Sequence, residues 1–304
     1  MVSSDGEGLG WILGSSRSGS TWLLRMLSEL DGVAGIDDPH LGHHLGVWRP
    51  IPLAWAAAEE KPELATLIDL QRGDDDFFFN DRYAEAWEPA LRDLILARFR
   101  AQAADRAPDG ARALVVKEPG SQAAELLSRL FSSATLIFLL RDARDVVASW
   151  LDAYRQGSWA EPQGAFAASR RGRVPLARWL ASVWLYRTEA VERALDGHRG
   201  PTVTVRYERL RSEPQGELAR VAAALGLACG DAELADAARV HDFEQVAPSR
   251  RGRGKSIRAA RPGGWARELS PSERKAVAEV TGRKLVELGY ATSAELPEAP
   301  ARAA

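Results

Sequence analysis

The stretch Gly10–Leu30 reads GWILGSSRSGSTWLLRMLSEL. It begins with an apolar run, passes through a loop of small polar residues, and continues with apolar residues at helical spacing. This order predicts a β-strand, a tight loop and an α-helix. The first N–H groups of such a helix have no intrahelical partner, and the helix dipole adds positive charge there. The loop is therefore suited to binding a phosphate or a similar anion.

The loop departs from the common nucleotide-binding pattern G-x-x-x-x-G-K-[ST]. Gly14 and Gly19 have the right separation, but Ser20 stands where that pattern has Lys, and the cation of the loop is Arg17. The pattern of the nucleotide triphosphatases is therefore broken. The alternative is a simple strand-to-helix turn, which has no use for an arginine among small polar residues.

Length and charge bound the class of protein. The chain has 304 residues, enough for a sizeable core, and its net charge of −2 gives no overall attraction to nucleic acid or anionic membranes. The single cysteine, Cys229, excludes an internal disulfide framework. The sequence shows neither a signal-peptide pattern nor an apolar run long enough to span a membrane, so we expect a soluble, cytoplasmic protein.

Strand patterns alternate with helical patterns along the whole chain. This order predicts a three-layer α/β fold, with a central parallel β-sheet and helices on both faces. We expect a single domain over residues 1–304, in which 1–8 and 291–304 are flexible tails. The predicted strands are Trp11–Leu13, Gly32–Ile36, Ala113–Val116, Thr135–Leu140 and Thr202–Arg206.

Cations follow two of the predicted strands. Lys117 comes after the third strand and Arg141 after the fourth. Magnesium-dependent nucleotide enzymes place an acid at such a strand end, so these cations indicate an anionic ligand that is bound without metal. Ser149 follows Arg141 by about two helical turns and is spaced to share one anionic group with it.

The sequence Asp37-Asp38-Pro39-His40 follows the second strand. Side chains just past the carboxyl ends of parallel strands surround the ligand crevice. In an extended segment Asp38 and His40 would point the same way, so we expect both to face the ligand of the loop. The alternative is a turn before Pro39 with surface histidines.

Together these features resemble the sulfotransferase family, which uses 3′-phosphoadenosine 5′-phosphosulfate (PAPS) as sulfuryl donor and releases 3′-phosphoadenosine 5′-phosphate (PAP). The loop is similar to the 5′-phosphosulfate loop of that family. The resemblance assigns to the donor Ser16, Arg17, Ser18, Gly19, Ser20, Thr21 and Trp22.

Three further segments extend the resemblance. Arg141 and Ser149 match the 3′-phosphate motif of the family, and Tyr207 corresponds to a tyrosine beside the adenine. Arg258, followed at the expected spacing by a Gly-x-Trp sequence, resembles the C-terminal clamp. The usual Lys-Gly after that arginine is replaced by alanines, so only Arg258 is assigned.

The resemblance implies transfer of a sulfuryl group to a hydroxyl or amine of a small-molecule acceptor. Arg17 is assigned to the leaving oxygen and Lys117 to the sulfuryl oxygens. Asp38 or His40 is the base that takes the acceptor proton, and Glu118 is a third candidate. Pro119 stands where small-molecule members of the family have a base histidine.

Two other functions are alternatives to sulfuryl transfer. A small-molecule kinase with the same loop needs magnesium, against which the cationic strand ends argue. A nucleotide- or RNA-binding module would use the arginine-rich stretch 250–261, but it leaves the strand-end cations unexplained. The Trp and Phe content of 48–79 and the loop 156–175 favour an aromatic or lipid-like acceptor. The sequence predicts neither a metal nor a nucleic-acid partner.

Overall fold

The computed structural model of the chain describes residues 2–44, 79–107, 110–118, 121–161 and 172–295. These residues contain a five-stranded parallel sheet of order β2-β3-β1-β4-β5. The strands are β1 (Leu9–Gly14), β2 (Val33–Asp37), β3 (Ala113–Lys117), β4 (Thr135–Leu140) and β5 (Thr202–Arg206). The predicted fold class, a central parallel sheet with helices, is confirmed.

Helices of very different length connect the strands. Those described are α1 (Ser20–Leu27), α2 (Leu41–His44), α3 (Ala84–Arg106), α4 (Ala124–Leu130), α5 (Ala143–Ala153), α6 (Arg173–Asp196), α7 (Tyr207–Ser212), α8 (Pro214–Ala224), α9 (Asp231–Val240), α10 (Trp265–Glu268) and α11 (Pro271–Glu287). Ser270 and Glu273 form a capping box at the start of α11. None of these helices combines the length and apolar character needed to cross a bilayer.

Adjacent residues of β1 show how both faces of the sheet are covered. Trp11 packs against Phe99 of α3 and against Phe131, with ring centroids 5.9 and 5.6 Å apart. Ile12 belongs instead to a core cluster that includes residues of α1, α8 and α9. Successive side chains of a strand point to opposite faces, so helices cover the sheet on both sides.

The chain divides into two compact units. The first comprises Met1–Leu140 and Arg187–His241 and holds the sheet, while the second comprises Arg141–Tyr186 and Asp242–Ala304. The second unit has its own core, in which Val147 of α5, Leu180 of α6 and Val277 of α11 are buried. A single domain over the whole chain stays a prediction.

The N-terminal residues differ from the expected flexible tail. Val2 is buried, and its carbonyl accepts a hydrogen bond from Arg100. Ser133 donates to Asp5 through both its backbone N–H and its hydroxyl. Residues 2–8 are therefore packed on the first unit, because an apolar side chain and a capped turn anchor them. Near the C-terminal end of the described residues, Ser293–Glu295 forms a short 3₁₀ helix.

Candidate active site

The loop between β1 and α1 depends on two glycines. Gly14 has a φ of 143°, and a Cβ there would lie 2.3 Å from the carbonyl oxygen of Leu139 in β4. Gly19, the N-cap of α1, has a φ of 96°, and a Cβ there would lie 2.7 Å from the ring of Tyr207. Both positions combine a conformation that favours glycine with a space that excludes a side chain.

The loop leaves polar groups directed toward a ligand. The N-cap of α1, Gly19, has no side chain that could cap the helix, and the first turn of α1 contains no acidic residue. Ser18 Oγ is buried and has no hydrogen-bond partner within the described ranges. Arg17 is half-buried with a φ of 73°. A buried orphan hydroxyl beside uncapped helix N–H groups suits an anion, as the sequence predicts. Ser16, Ser20 and Thr21 are also half-buried in this loop.

Lys117 is a buried cation that contacts two exposed carboxylates at the carboxyl ends of the strands. Its Nζ lies 2.6 Å from Asp37 Oδ1 and 3.0 Å from Asp38 Oδ2, and it donates to Thr21 Oγ1 at 2.6 Å. Only 6% of the lysine side chain is exposed. A cation from β3 thus reaches the start of α1, where Ser20 replaces the usual loop lysine. The partner Asp37 was not predicted from the sequence.

The segment that carries Asp38 and His40 is not extended. Asp38 has a φ of 51° and His40 a φ of 54°, the left-handed region that non-glycine residues rarely adopt. The expectation that the two side chains point the same way because the segment is extended is therefore wrong. Contacts at both ends hold the turn, since Asp38 N–H donates to the Lys117 carbonyl and α2 begins directly after His40.

Glu118 holds the other end of this turn. Its carboxylate accepts hydrogen bonds from the N–H groups of Leu41 and Gly42, each at 3.1 Å, and the residue is only 2% exposed. Burial, the largest cause, raises the pKa of Glu118 to about 7 despite these two donors. Because both carboxylate oxygens are occupied by backbone groups, this geometry argues against Glu118 as the base.

Ser121 contributes a support that was not predicted from the sequence. Its hydroxyl accepts from Gly14 N–H at 2.6 Å and donates to the Gly14 carbonyl at 2.9 Å. The residue is fully buried with a φ of 55°. The turn after β3 therefore supports the start of the anion loop. The sequence feature that could have indicated this support is a serine shortly after Lys117.

Two aromatic residues assigned to the adenine lie together. Tyr207, the first residue of α7, is buried and packs on Gly19, and its ring centroid is 6.3 Å from that of Trp22. Trp22 Nε1 donates to the His241 carbonyl at 2.8 Å, and the Arg211 guanidinium lies 5.8 Å from its ring. This arrangement supports the assignment of the aromatic pair to one site.

The 3′-phosphate candidates belong to the second unit. Arg141 directly precedes Asp142, the N-cap of α5, and Ser149 lies on α5, and both are buried. Arg141 Nη2 is 3.9 Å from Asp145 Oδ2, and the Arg141 carbonyl accepts from Trp184 Nε1 at 3.1 Å. The contact of Arg141 with Asp145 was not predicted from the sequence, although the four-residue spacing of the two residues could have indicated it.

Arg258 is held by α10. Its guanidinium pairs with the Glu268 carboxylate, and 13% of its side chain is exposed. The Gly-x-Trp sequence that follows is fixed as well, because Gly263 and Trp265 donate their N–H groups to Asp145 at 2.8 and 2.9 Å. The segment that resembles the C-terminal clamp therefore has defined contacts in this unit.

The described ranges contain no group of three or more His, Cys, Asp or Glu side chains placed to hold a metal ion. The side chains of His43 and His44 lie outside the described residues.

Comparison with known proteins places the chain among enzymes of sulfuryl transfer. The model of the sulfotransferase family matches residues 11–231. The chain is similar to mouse sulfotransferase SULT7A1 complexed with PAP, at a TM-score of 0.57, 13% identity and coverage of 93% of this chain and 87% of that one. It is also similar to the sulfotransferase domain from the curacin biosynthetic pathway, with a TM-score of 0.50, 18% identity, and coverage of 95% and 99%.

A third solved structure, sulfotransferase STF9 from Mycobacterium avium, has a TM-score of 0.50 at 15% identity and covers 92% of this chain and 76% of its own. These structural similarities support the fold. A search among curated proteins gave no match. The family match extends from β1 to the first residue of α9, and so includes the anion loop, Lys117 and Tyr207. The chain belongs to the sulfotransferase family.

Proposed function

We propose that this chain transfers a sulfuryl group from PAPS to a hydroxyl or amine of a small-molecule acceptor. One observation carries the proposal: Lys117 Nζ contacts both Thr21 at the start of α1 and Asp38 beyond β2. A fixed cation therefore joins the anion-binding end of a helix to a carboxylate capable of accepting a proton. Sulfuryl transfer requires both elements, since negative charge develops as the acceptor loses its proton.

The residues of the first unit fit the 5′ end of the donor. Ser18 Oγ is buried and unpartnered among described residues, and the N-cap of α1, Gly19, offers no capping side chain. The N–H groups of residues 18–21, with Arg17, would hold the phosphosulfate. Trp22 and Tyr207 would hold the adenine. In the second unit, Arg141, Ser149 and Arg258 are the candidates for the 3′-phosphate.

When bound, PAPS supplies an activated sulfuryl group. Lys117 stabilises negative charge near the start of α1, and Arg17 does so at the leaving oxygen. Asp38 accepts the acceptor proton at a carboxylate oxygen, with His40 as the other candidate. No role in this scheme requires a metal ion.

The acceptor is proposed to be an aromatic or lipid-like molecule, on the composition of 48–79 and 156–175. Most of these segments, 48–78 and 162–171, lie outside the described residues. A cytoplasmic location stays a prediction.

A transfer assay tests the function. The protein is incubated with PAPS, excess EDTA and a panel of phenols, alcohols and amines, and PAP formation is followed by chromatography. We expect PAP to form with at least one acceptor, which gains the mass of one SO₃ group. The proposal fails if no acceptor is sulfated and the same panel is phosphorylated from magnesium ATP.

A further inference from the structure

Asp145 is a fully buried carboxylate that connects two parts of the second unit. It lies in the first turn of α5, with a side-chain exposure of 0%. Its Oδ2 accepts from Gly263 N–H at 2.8 Å and its Oδ1 accepts from Trp265 N–H at 2.9 Å. Both oxygens therefore hold the backbone at the start of α10.

The same carboxylate faces a cation of the candidate donor site. Arg141 Nη2 lies 3.9 Å from Asp145 Oδ2, and 8% of the arginine side chain is exposed. Through α10 the contacts continue to Glu268, which pairs with Arg258. One buried carboxylate is thus linked to both arginines assigned to the 3′-phosphate, to Arg141 directly and to Arg258 through α10.

Contacts of the neighbouring Arg144 stabilise the packing of α5 against α10. The Arg144 guanidinium stacks over the Trp265 ring at 4.1 Å. Arg144 is itself fixed by the Asp142 carboxylate at 2.7 Å and by the Tyr290 carbonyl at 2.6 Å. Two residues in the first turn of α5 therefore hold the start of α10. The Arg144 guanidinium stacks on the Trp265 ring, and the Asp145 carboxylate accepts the Trp265 N–H.

We propose that Asp145 is the positioning residue of the 3′-phosphate site, orienting Arg141 directly and Arg258 through α10. This inference rests on the proposed function, because it takes the two arginines as donor ligands. Asp145 touches no substrate in this scheme. Its negative charge alone would disfavour a nearby phosphate, so the proposal requires that its positioning effect is the larger of the two.

Asp145→Asn tests this balance. An Asn side chain offers one acceptor oxygen where two N–H groups need one each, so one buried donor loses its partner and α10 must shift. Calorimetry is run with PAP and with adenosine 5′-monophosphate, which lacks the 3′-phosphate. We expect PAP affinity to fall about tenfold and adenosine 5′-monophosphate affinity to stay within about twofold.

The matched control is Asp152→Asn. Asp152 lies on the same helix and also accepts a backbone N–H from the C-terminal segment, that of Gly254 at 2.7 Å, but Gly254 lies nine residues before Gly263, the nearer of the two residues that donate to Asp145. We expect both nucleotides to bind this variant as they bind the parent. Equal loss of PAP affinity in both variants would overturn the inference, as would a gain in PAP affinity or equal loss for both nucleotides in Asp145→Asn.

A measurement on the parent protein covers the case in which Asp145→Asn does not fold. PAP should slow amide hydrogen exchange at Gly263 and Trp265 more than adenosine 5′-monophosphate does. Equal protection by the two nucleotides contradicts the inference. If the parent does not prefer PAP over adenosine 5′-monophosphate at all, the proposed donor is wrong, which is a separate outcome.

Discussion

Lys117 Nζ donates a 3.0 Å hydrogen bond to the Asp38 carboxylate, although the two residues are 79 positions apart in the chain. The sheet creates this pair, because β2 and β3 are neighbouring parallel strands in which Asp37 is in register with Lys117. Buried charges are stable when they are paired and hydrogen-bonded. The pair also joins the two sides of the proposed reaction, since Lys117 contacts Thr21 in the helix that follows the anion loop.

The role of Asp38 is tested against that of Asp37, because both carboxylates contact Lys117. Asp38→Asn should lower kcat by roughly 10²–10⁴-fold, the usual contribution of a general base. Asp37→Asn removes the other partner of Lys117 and should lower kcat much less. Donor affinity should be nearly unchanged in both variants. Equal losses of kcat would mean that the carboxylates act only by neutralising Lys117.

His40 is the other candidate for the base. If it takes the acceptor proton, alone or with Asp38, His40→Ala should lower kcat while PAP affinity stays at the parental value. Steady-state kinetics with a phenol acceptor and calorimetry with PAP measure the two quantities. Parental turnover in both the Asp38 and the His40 variants would place the base elsewhere.

Arg141 is predicted to bind the 3′-phosphate. Arg141→Ala should weaken PAP binding by about 1.5–3 kcal/mol, the usual loss for a charge-assisted hydrogen bond. Arg193→Ala is a suitable control, because that arginine forms a half-exposed pair with Glu125 on the first unit. Calorimetry that finds parental PAP affinity in Arg141→Ala refutes the assignment.

Glu118 predicts a change of stability with pH. Its pKa is raised from 4.5 to about 7 in the folded protein, so between these values the folded state holds a proton that the unfolded state has released. This contribution is fully present below pH 4.5 and is lost as pH rises through about 7. Over the whole interval it amounts to about 3 kcal/mol.

Glu118→Gln resembles the protonated acid at every pH. Urea unfolding at pH 5 and pH 7.5 should therefore show that the variant gains stability relative to the parent as pH rises, by up to about 3 kcal/mol. Glu125→Gln, at an exposed position, should follow the parent. Parallel loss of stability in parent and Glu118→Gln would show that Glu118 is not protonated at the lower pH.

Local sequence was sufficient to predict most of the strands and the anion loop. All five predicted strands are present, two with the predicted bounds and three with bounds shifted by one or two residues. Apolar runs such as Thr135–Leu140 are recognisable because strands of a parallel sheet are buried on both sides. The need for glycine at position 14 follows from the loop pattern, and the structure gives the reason in the close approach of Leu139.

The contacts between distant segments were not predictable. Ser121 supports Gly14 from 107 residues away, and Asp145 caps a helix that begins 120 residues later. No local propensity encodes such pairs, because they arise from strand order and helix packing. For the same reason the sequence indicated a turn before Pro39 only as an alternative to an extended segment: the anchors of the left-handed turn, Lys117 and Glu118, lie at the end of another strand.

The central claim is that the anion loop binds a 3′-phosphorylated adenine nucleotide without metal, and calorimetry with PAP in excess EDTA tests it most directly. The account predicts saturable binding of PAP under these conditions, and weaker binding of ATP whether or not magnesium is present. The account is contradicted if PAP does not bind, or if ATP binds more tightly and only in the presence of magnesium.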